Sequence, residues 1–364
     1  MFGTTKEKIS DALLGVDIGT TAMKVVELVP DGGRVRLVTY GYASIPVEGN
    51  ADVLSLDDPK KIASILRSII KASGMKAVKA VASLPAQSVF HAIISIPAPK
   101  SAKEDIRAAV EAQAGKVLPL PVAEMIIDSH IIDKDFLPKE GDTSEQKVKT
   151  VRVQVTAAPK ALVEKYLAVF TAAKVELVSL ETEVFALMRS LIGKDTAKTM
   201  IVDIGGERTN ICIAECGVPY LTRGIKSGGG VVTQAIVAAM GMSVSEAESM
   251  KKDLAFGSAA PMSPLVLTAM KPLLHEVKYA SDLNLQENIQ HPKAIEKVIL
   301  TGGSAALAGI DQAMTEALNM NVYVGDPWAR VATPPAARAV LDEVGSRFAV
   351  AIGLAMRVVP EKER

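Results

Sequence analysis

The sequence lacks most of the features that settle a function at once. It has two cysteines in 364 residues, too few to staple a chain of this length. Cys212 and Cys216 have no histidine nearby and read as reduced core thiols rather than metal ligands. The four histidines, His91, His130, His275 and His291, are scattered. Neither charge sign is in excess, since 41 Lys plus Arg balance 41 Asp plus Glu. A neutral chain has no bulk field to hold nucleic acid or an anionic membrane surface, so neither is expected as a partner. There is no GxxxxGK[ST] and no GxGxxG, which removes the P-loop and the Rossmann dinucleotide site. No nucleophile–base constellation stands out.

A spanning helix is also missing. Residues 80–99 and 227–245 carry no formal charge, but the first stretch contains Pro85, Pro97 and Pro99 and the second opens on glycines. A span needs about 20 mostly apolar residues without such breaks. No secretory leader is visible, and the tail from Val350 is not a basic amphipathic anchor. A cytoplasmic chain without direct membrane insertion is expected. Work at a membrane would go through a partner.

What is present is a core and an internal echo. Hydrophobic residues make up 49% and charged residues 23%, enough to bury a core in two or three domains of about 150 residues each. Val16-Asp17-Ile18-Gly19 recurs 186 residues later as Val202-Asp203-Ile204-Gly205. Each copy follows an apolar run and leads through polar turn residues into a second one. Two related halves with strand–turn–strand starts are expected.

The rest reads as mixed α/β. Asp57 and Asp58 can cap a helix opened by Pro59, with Ile62, Ile65, Leu66 and Ile69 on one face and Gly74 past its end. Residues 78–84 and 151–157 read as strands. Ser101-x-x-Glu104 and Ser243-x-x-Glu246 are capping boxes. Residues 134–149 read as a solvated loop, Pro159 opens a helix to about Ala173, and residues 85–175 form an α/β insert in the first half. Gly228-Gly229-Gly230 precedes a helix ending near Gly241, and a longer helix runs from about Pro264 to Glu287, before His291-Pro292. A strand at 297–300 enters Thr301-Gly302-Gly303-Ser304 and another helix.

The echo has chemistry in it. Gly19 at a hairpin tip lets backbone N–H groups approach a phosphate, Thr20 and Thr21 add hydroxyls, and Lys24 adds a cation. Asp17 can face Mg²⁺ through water. Taken alone, this is equally an ordinary hairpin with a capping Asp. Asp203, Gly205, Gly206 and Thr209 repeat the pattern, and two such hairpins across a cleft can clamp a polyphosphate from both sides. Gly302, Gly303 and Ser304 leave room for a flat ring beside a helix start. Glu248 and Lys251 share a helix face, either to meet a ribose or base or as a surface ion pair.

In this order the motifs resemble the actin, sugar-kinase and heat-shock-chaperone ATPase superfamily. Within it the chain resembles the PilM family of type IV pilus assembly, relatives of the cell-division protein FtsA. The specific residues are Leu14-Gly15-Val16-Asp17-Ile18-Gly19 with Lys24, Leu118-Pro119-Leu120-Pro121, Val202-Asp203-Ile204-Gly205, Ala247-Glu248 with Lys251, Leu300-Thr301-Gly302-Gly303-Ser304, Asp326-Pro327-Trp328 and the run from Phe348 to Ala355.

The resemblance implies a duplicated, actin-like (ribonuclease H-like) two-lobe α/β ATPase fold with an FtsA/PilM-type α/β insert, and ATP with Mg²⁺ between the lobes. On that template residues 11–84, 176–197 and 345–360 form the first lobe and 85–175 the insert. Residues 198–227 and 295–344 form the second lobe, and 228–294 a helical cap on the nucleotide. Gly19, Thr20, Thr21 and Lys24 belong to one phosphate loop; Gly205, Gly206 and Thr209 belong to the other. Asp17 and Asp203 are the Mg²⁺-facing carboxylates, and Asp17 also counts as catalytic. Gly302, Gly303 and Ser304 meet the adenosine opposite Glu248 and Lys251. A connecting helix carries Glu181 and Glu183, and Glu183 is the first candidate to orient an attacking water. Arg208 departs from the pattern, since a small hydroxyl residue would be comfortable there.

The implied function is an ATP-binding cytoplasmic scaffold, peripheral to the inner membrane, with turnover slow or absent. It would bind the N-terminal tail of a PilN-type membrane protein, with residues 78–84 and 90–96 as groove walls. Other pilus inner-membrane components and further copies of the chain are secondary partners. An FtsA-like division protein, a type II secretion adaptor and a small-molecule kinase are the alternatives. The absence of an amphipathic end after Pro360 favours the pilus reading over FtsA.

Overall fold

Strand β1 (Leu13–Ile18) is buried at all six positions, as a strand covered on both faces must be. It turns at once into the long strands β2 (Ala22–Asp31) and β3 (Arg34–Ser44). The computed structural model describes residues 11–44, 55–99, 105–132, 150–256, 262–287 and 294–358. The described chain divides into two compact units, Pro85–Tyr166 and the remainder.

In the larger unit, helix α1 (Pro59–Ala72) starts where Asp58 accepts from Lys61 N–H at 3.0 Å and buries Ile62, Leu66 and Ile69. It leads to β4 (Lys79–Leu84), parallel to β1. The smaller unit holds β5 (Phe90–Pro97), α2 (Arg107–Ala114), β6 (Met125–Ile131) and β7 (Thr150–Pro159). Its antiparallel sheet has the order β5-β7-β6, and Ile96, Val110, Ala114, Val151, Val153 and Val155 form its core. Ser101 and Glu104, the 134–149 segment and His291-Pro292 lie outside the described residues. Helix α3 (Lys160–Ala173) carries the boundary after Tyr166, so part of the 85–175 segment packs with the larger unit.

The chain continues through β8 (Glu176–Thr182), α4 (Glu183–Leu187) and a π-helical turn, Met188–Ile192. Strands β9 (Thr199–Ile204), β10 (Thr209–Glu215) and β11 (Val218–Ile225) open the second lobe. Helices α5 (Gly230–Met240), α6 (Val244–Phe256) and α7 (Pro264–Glu287) follow. Ser243 and Glu246 form the reciprocal capping box expected of them, Ser243 N–H donating to the carboxylate at 2.8 Å and Glu246 N–H to the hydroxyl at 3.2 Å. Then come β12 (Lys297–Thr301), α8 (Ile310–Leu318), β13 (Val322–Val324), β14 (Val331–Ala332) and α9 (Arg338–Ala355).

The duplication is a repeat of topology. The first sheet runs β14-β3-β2-β1-β4-β8 and the second β11-β10-β9-β12-β13. In each, three antiparallel strands are followed by two parallel ones. The hairpins match residue for residue: Asp17 opposes Lys24, and Asp203 opposes Asn210, each 186 positions on.

Helix α9 fits because small residues let backbones meet. A Cβ on Gly15 would overlap the Ala351 carbonyl, and one on Gly353 would overlap the Ala186 carbonyl. Trp328, Val331 and Leu341 fill the core beneath β2 and β3, and β14 pairs with β3. These residues, grouped with the second lobe when read along the sequence, therefore pack in the first. Among the described residues no single helix is long and apolar enough to cross a membrane.

Candidate functional site

Asp17 sits at the end of β1 and is 5% exposed. A carboxylate this buried must be paired. Lys24, its cross-strand neighbour, donates to it at 3.0 Å, and Ser83 on β4 donates at 3.2 Å. Burial alone would lower the Lys24 pKa, but the attraction of Asp17 outweighs it and the net shift is upward. Ser83 was not singled out in the sequence. Its signal is a polar residue inside the apolar run of β4.

Both hairpins close the same way. Gly19 N–H donates to Ala22 O at 3.1 Å and Gly205 N–H to Arg208 O at 2.9 Å. These bonds leave Thr20, Thr21, Gly206 and Glu207 at the tips. The two tips meet: a Cβ on Gly206 would lie 2.8 Å from Thr21 Oγ1. The two hairpins of the echo therefore meet in space.

Asp203 lies in the same cleft. Burial first, then the charge of Asp17, push its carboxyl up to about 6, against the pull of Lys24 and Asn210. Asn210 donates to Glu183 Oε2 at 2.9 Å, which ties β10 to the first turn of α4. Asn210 Oδ1 is buried with no hydrogen-bond partner. That acceptor, on the side chain whose amide nitrogen meets Glu183, suits a donor such as a cation-bound water. Among the described residues no three His, Cys, Asp or Glu are arranged to ligate a metal directly. The buried carboxylates of Asp17 and Asp203 with this open acceptor are a donor set that fits a hydrated Mg²⁺.

The Gly228–Gly230 and Gly302–Ser304 segments pack against the second hairpin. Gly229 N–H and Gly230 N–H at the start of α5 donate to Gly205 O and Gly206 O at 2.9 and 2.7 Å. Ser304 reaches Gly205 O at 3.4 Å, and Gly302 (φ +89) has no room for a Cβ beside Asp203. Lys251 donates to Glu248 at 2.6 Å, to Thr233 Oγ1 at 2.8 Å and to Gly229 O at 3.3 Å. This is a half-buried junction between α5 and α6, not a surface ion pair. Burial raises the Glu248 pKa, but the bonds from Lys251 and Thr233 prevail and lower it.

Four expectations are corrected. Thr209 is fully buried and gives its hydroxyl to Ser227 O at 2.8 Å, so it faces away from the cleft. Glu181 lies on β8, not on a helix, and is held by Arg189 at 2.5 and 2.8 Å. Gly303 opens a four-residue 3-10 turn, and regular helix begins only at Ile310, so the dipole of a full helix is absent there. Cys212 is buried, its thiol pushed up to about 12, but Cys216 is exposed in the β10–β11 turn at φ +50.

Two repeated sheets with their hairpin tips in contact define an actin-like two-lobed protein with an α/β insert. The solved structures agree. A PilM-PilN type IV pilus biogenesis complex matches over 95% of this chain and 98% of that one, at TM-score 0.77 and 23% identity. MreB5 of Spiroplasma citri bound to ADP matches over 94% of both chains at TM-score 0.50 and 13% identity. The cell-division protein FtsA of Bacillus subtilis is 23% identical over 356 residues, 87% of this chain and 79% of FtsA. The chain belongs to the type IV pilus assembly protein PilM family, whose model matches residues 15–359.

Proposed function

We propose that this chain is a nucleotide-binding scaffold of type IV pilus assembly that holds ATP with Mg²⁺ between its two hairpins. The observation that carries the reading is the meeting of two equivalent Asp-Ile-Gly hairpins, Thr21 against Gly206. In it, the tip amides and the Thr20 and Thr21 hydroxyls bind phosphate, and Asp17 and Asp203 hold the hydrated cation. Mg²⁺, when bound, neutralises phosphate charge. Lys24 and Ser83 orient Asp17, and Asn210 orients Glu183, the residue placed to position a water. Gly302, Gly303 and Ser304 face Glu248 and Lys251 across the nucleoside. Nucleotide acts by binding two lobe arrangements unequally.

The partner in this reading is the cytoplasmic N-terminal tail of a PilN-type membrane protein, a reading supported by the likeness to the PilM-PilN complex. The chain would then work in the cytoplasm, brought to the membrane by that tail. Other pilus inner-membrane components and self-association are secondary. Strand β8 is the open edge of the first sheet, with Val178 45% and nearby Val78 65% exposed. An extended tail can add to such an edge by backbone hydrogen bonds with apolar anchors. The residues at 78–84 and 90–96 fall in different compact units.

The test is titration of the purified chain with a synthetic PilN-type tail, with and without MgATP. Saturable binding of about micromolar strength, about −8 kcal/mol, with an affinity that changes on adding nucleotide, is expected. Absence of tail binding in both conditions rejects the pilus partner. Absence of MgATP stabilisation rejects the clamp.

A further inference from the structure

The charges around the two hairpins are unevenly committed. Lys24 is paired with Asp17 at 3.0 Å and Lys251 with Glu248 at 2.6 Å. Asp203 and Glu183 add further negative charge. A nucleoside triphosphate brings more than one Mg²⁺ cancels, so a cation that no carboxylate has already neutralised would favour it. Arg208 is such a cation. It is half-buried and, among the described residues, has no ion-pair partner.

Its position follows from the turn and the strand. Its carbonyl accepts from Gly205 N–H at 2.9 Å, which makes it the residue that closes the turn of the second hairpin. Along β10, Thr209 turns back to Ser227 O, while Asn210 turns the opposite way to Glu183. Arg208 immediately precedes β10, and its equivalent in the first repeat, Ala22, shares the side of β2 that carries Lys24, opposite the buried Met23, so the repeat puts Arg208 on the Asn210 side. The equivalent residue of the first hairpin is Ala22, which closes its turn onto Gly19 in the same manner. The repeat is therefore asymmetric in charge. The first hairpin has its cation in the strand, as Lys24, and the second has its cation at the turn-closing residue just before the strand, with neutral Asn210 in the strand.

We propose that Arg208 reads the terminal phosphate of a nucleoside triphosphate in this cleft and sets the preference for triphosphate over diphosphate. This rests on the nucleotide-binding reading above. A guanidinium offers planar, two-pronged donation to phosphate that a lysine cannot copy.

Calorimetric titration of the whole chain with MgATP and MgADP, in wild type, Arg208→Ala and Arg208→Lys, tests it. Arg208→Ala should weaken ATP by about 10- to 100-fold and leave ADP unchanged, and Arg208→Lys should recover only part. Thermal melts of the nucleotide-free variants should match wild type, which separates this from misfolding. Equal losses for ATP and ADP, or no loss for either, overturn the assignment while the nucleotide site stands. If wild type binds neither nucleotide, the site and the assignment fall together.

Discussion

Replacing Asp203 by Asn should make the nucleotide-free protein more stable at neutral pH while disabling the site. Asp203 faces Asp17 across the cleft, and burial and that charge lift its carboxyl to about 6. A carboxyl raised in the fold holds its proton more tightly folded than unfolded. Its contribution favours the fold below the unfolded pKa of about 3.9 and is lost as pH rises through about 6. Some two units at 1.36 kcal/mol each give about 3 kcal/mol as the full swing. Water at the half-buried carboxyl reduces this, so about 1–3 kcal/mol is the working range. Asp203→Asn keeps the shape and removes the ionisation. Urea unfolding of both proteins at a series of pH values gives the difference for Asp203 together with the neighbours its charge couples to, since titrating groups remote from the cleft cancel. The variant should exceed wild type by that amount above about pH 7 and converge with it near pH 4. A variant less stable than wild type at neutral pH, or a difference that does not vary with pH, would refute the argument. The same variant should lose stabilisation by MgATP, as expected where an active cleft holds charge at the expense of stability.

Two further substitutions probe the frame around the cleft. Gly353→Ala drives a Cβ into the Ala186 backbone carbonyl, which cannot rotate away, so α9 and α4 must part. A loss of about 1–3 kcal/mol in thermal unfolding is expected; an unchanged melting temperature would mean that the crossing is looser than described. Lys251→Ala leaves Glu248 and Thr233 without their shared donor at the α5–α6 junction. It should cost about 1–2 kcal/mol and weaken nucleotide binding. No change in either quantity would reduce the pair to a surface ion pair.

The two hairpins were legible because their chemistry is backbone chemistry. Asp-Ile-Gly marks a strand end and a tight turn, and both copies close onto the carbonyl three residues on. Helix limits marked by local signals were legible too: Asp58 caps α1 and Ser243 caps α6. The lobe to which Trp328 and β14 belong was not, because β14 pairs with a strand near the other end of the chain, and no local pattern records that partnership.

Side-chain commitment is the other hidden quantity. Glu181 and Glu183 stand two apart, yet one is clamped by Arg189 on β8 and the other is held at the cleft by Asn210. Thr209 carries the hydroxyl that the motif calls for but spends it on Ser227. Here the signal existed, since the period of two that sends Asn210 to the cleft sends Thr209 away from it. Arg208 lies just before β10 and takes its side from its equivalent in the first repeat, Ala22. The repeat thus specifies where backbone donors gather, and the departures from it specify which charges remain to be used. Arg208, the residue that departs from the pattern, has no ion-pair partner among the described residues and so has charge to offer a phosphate.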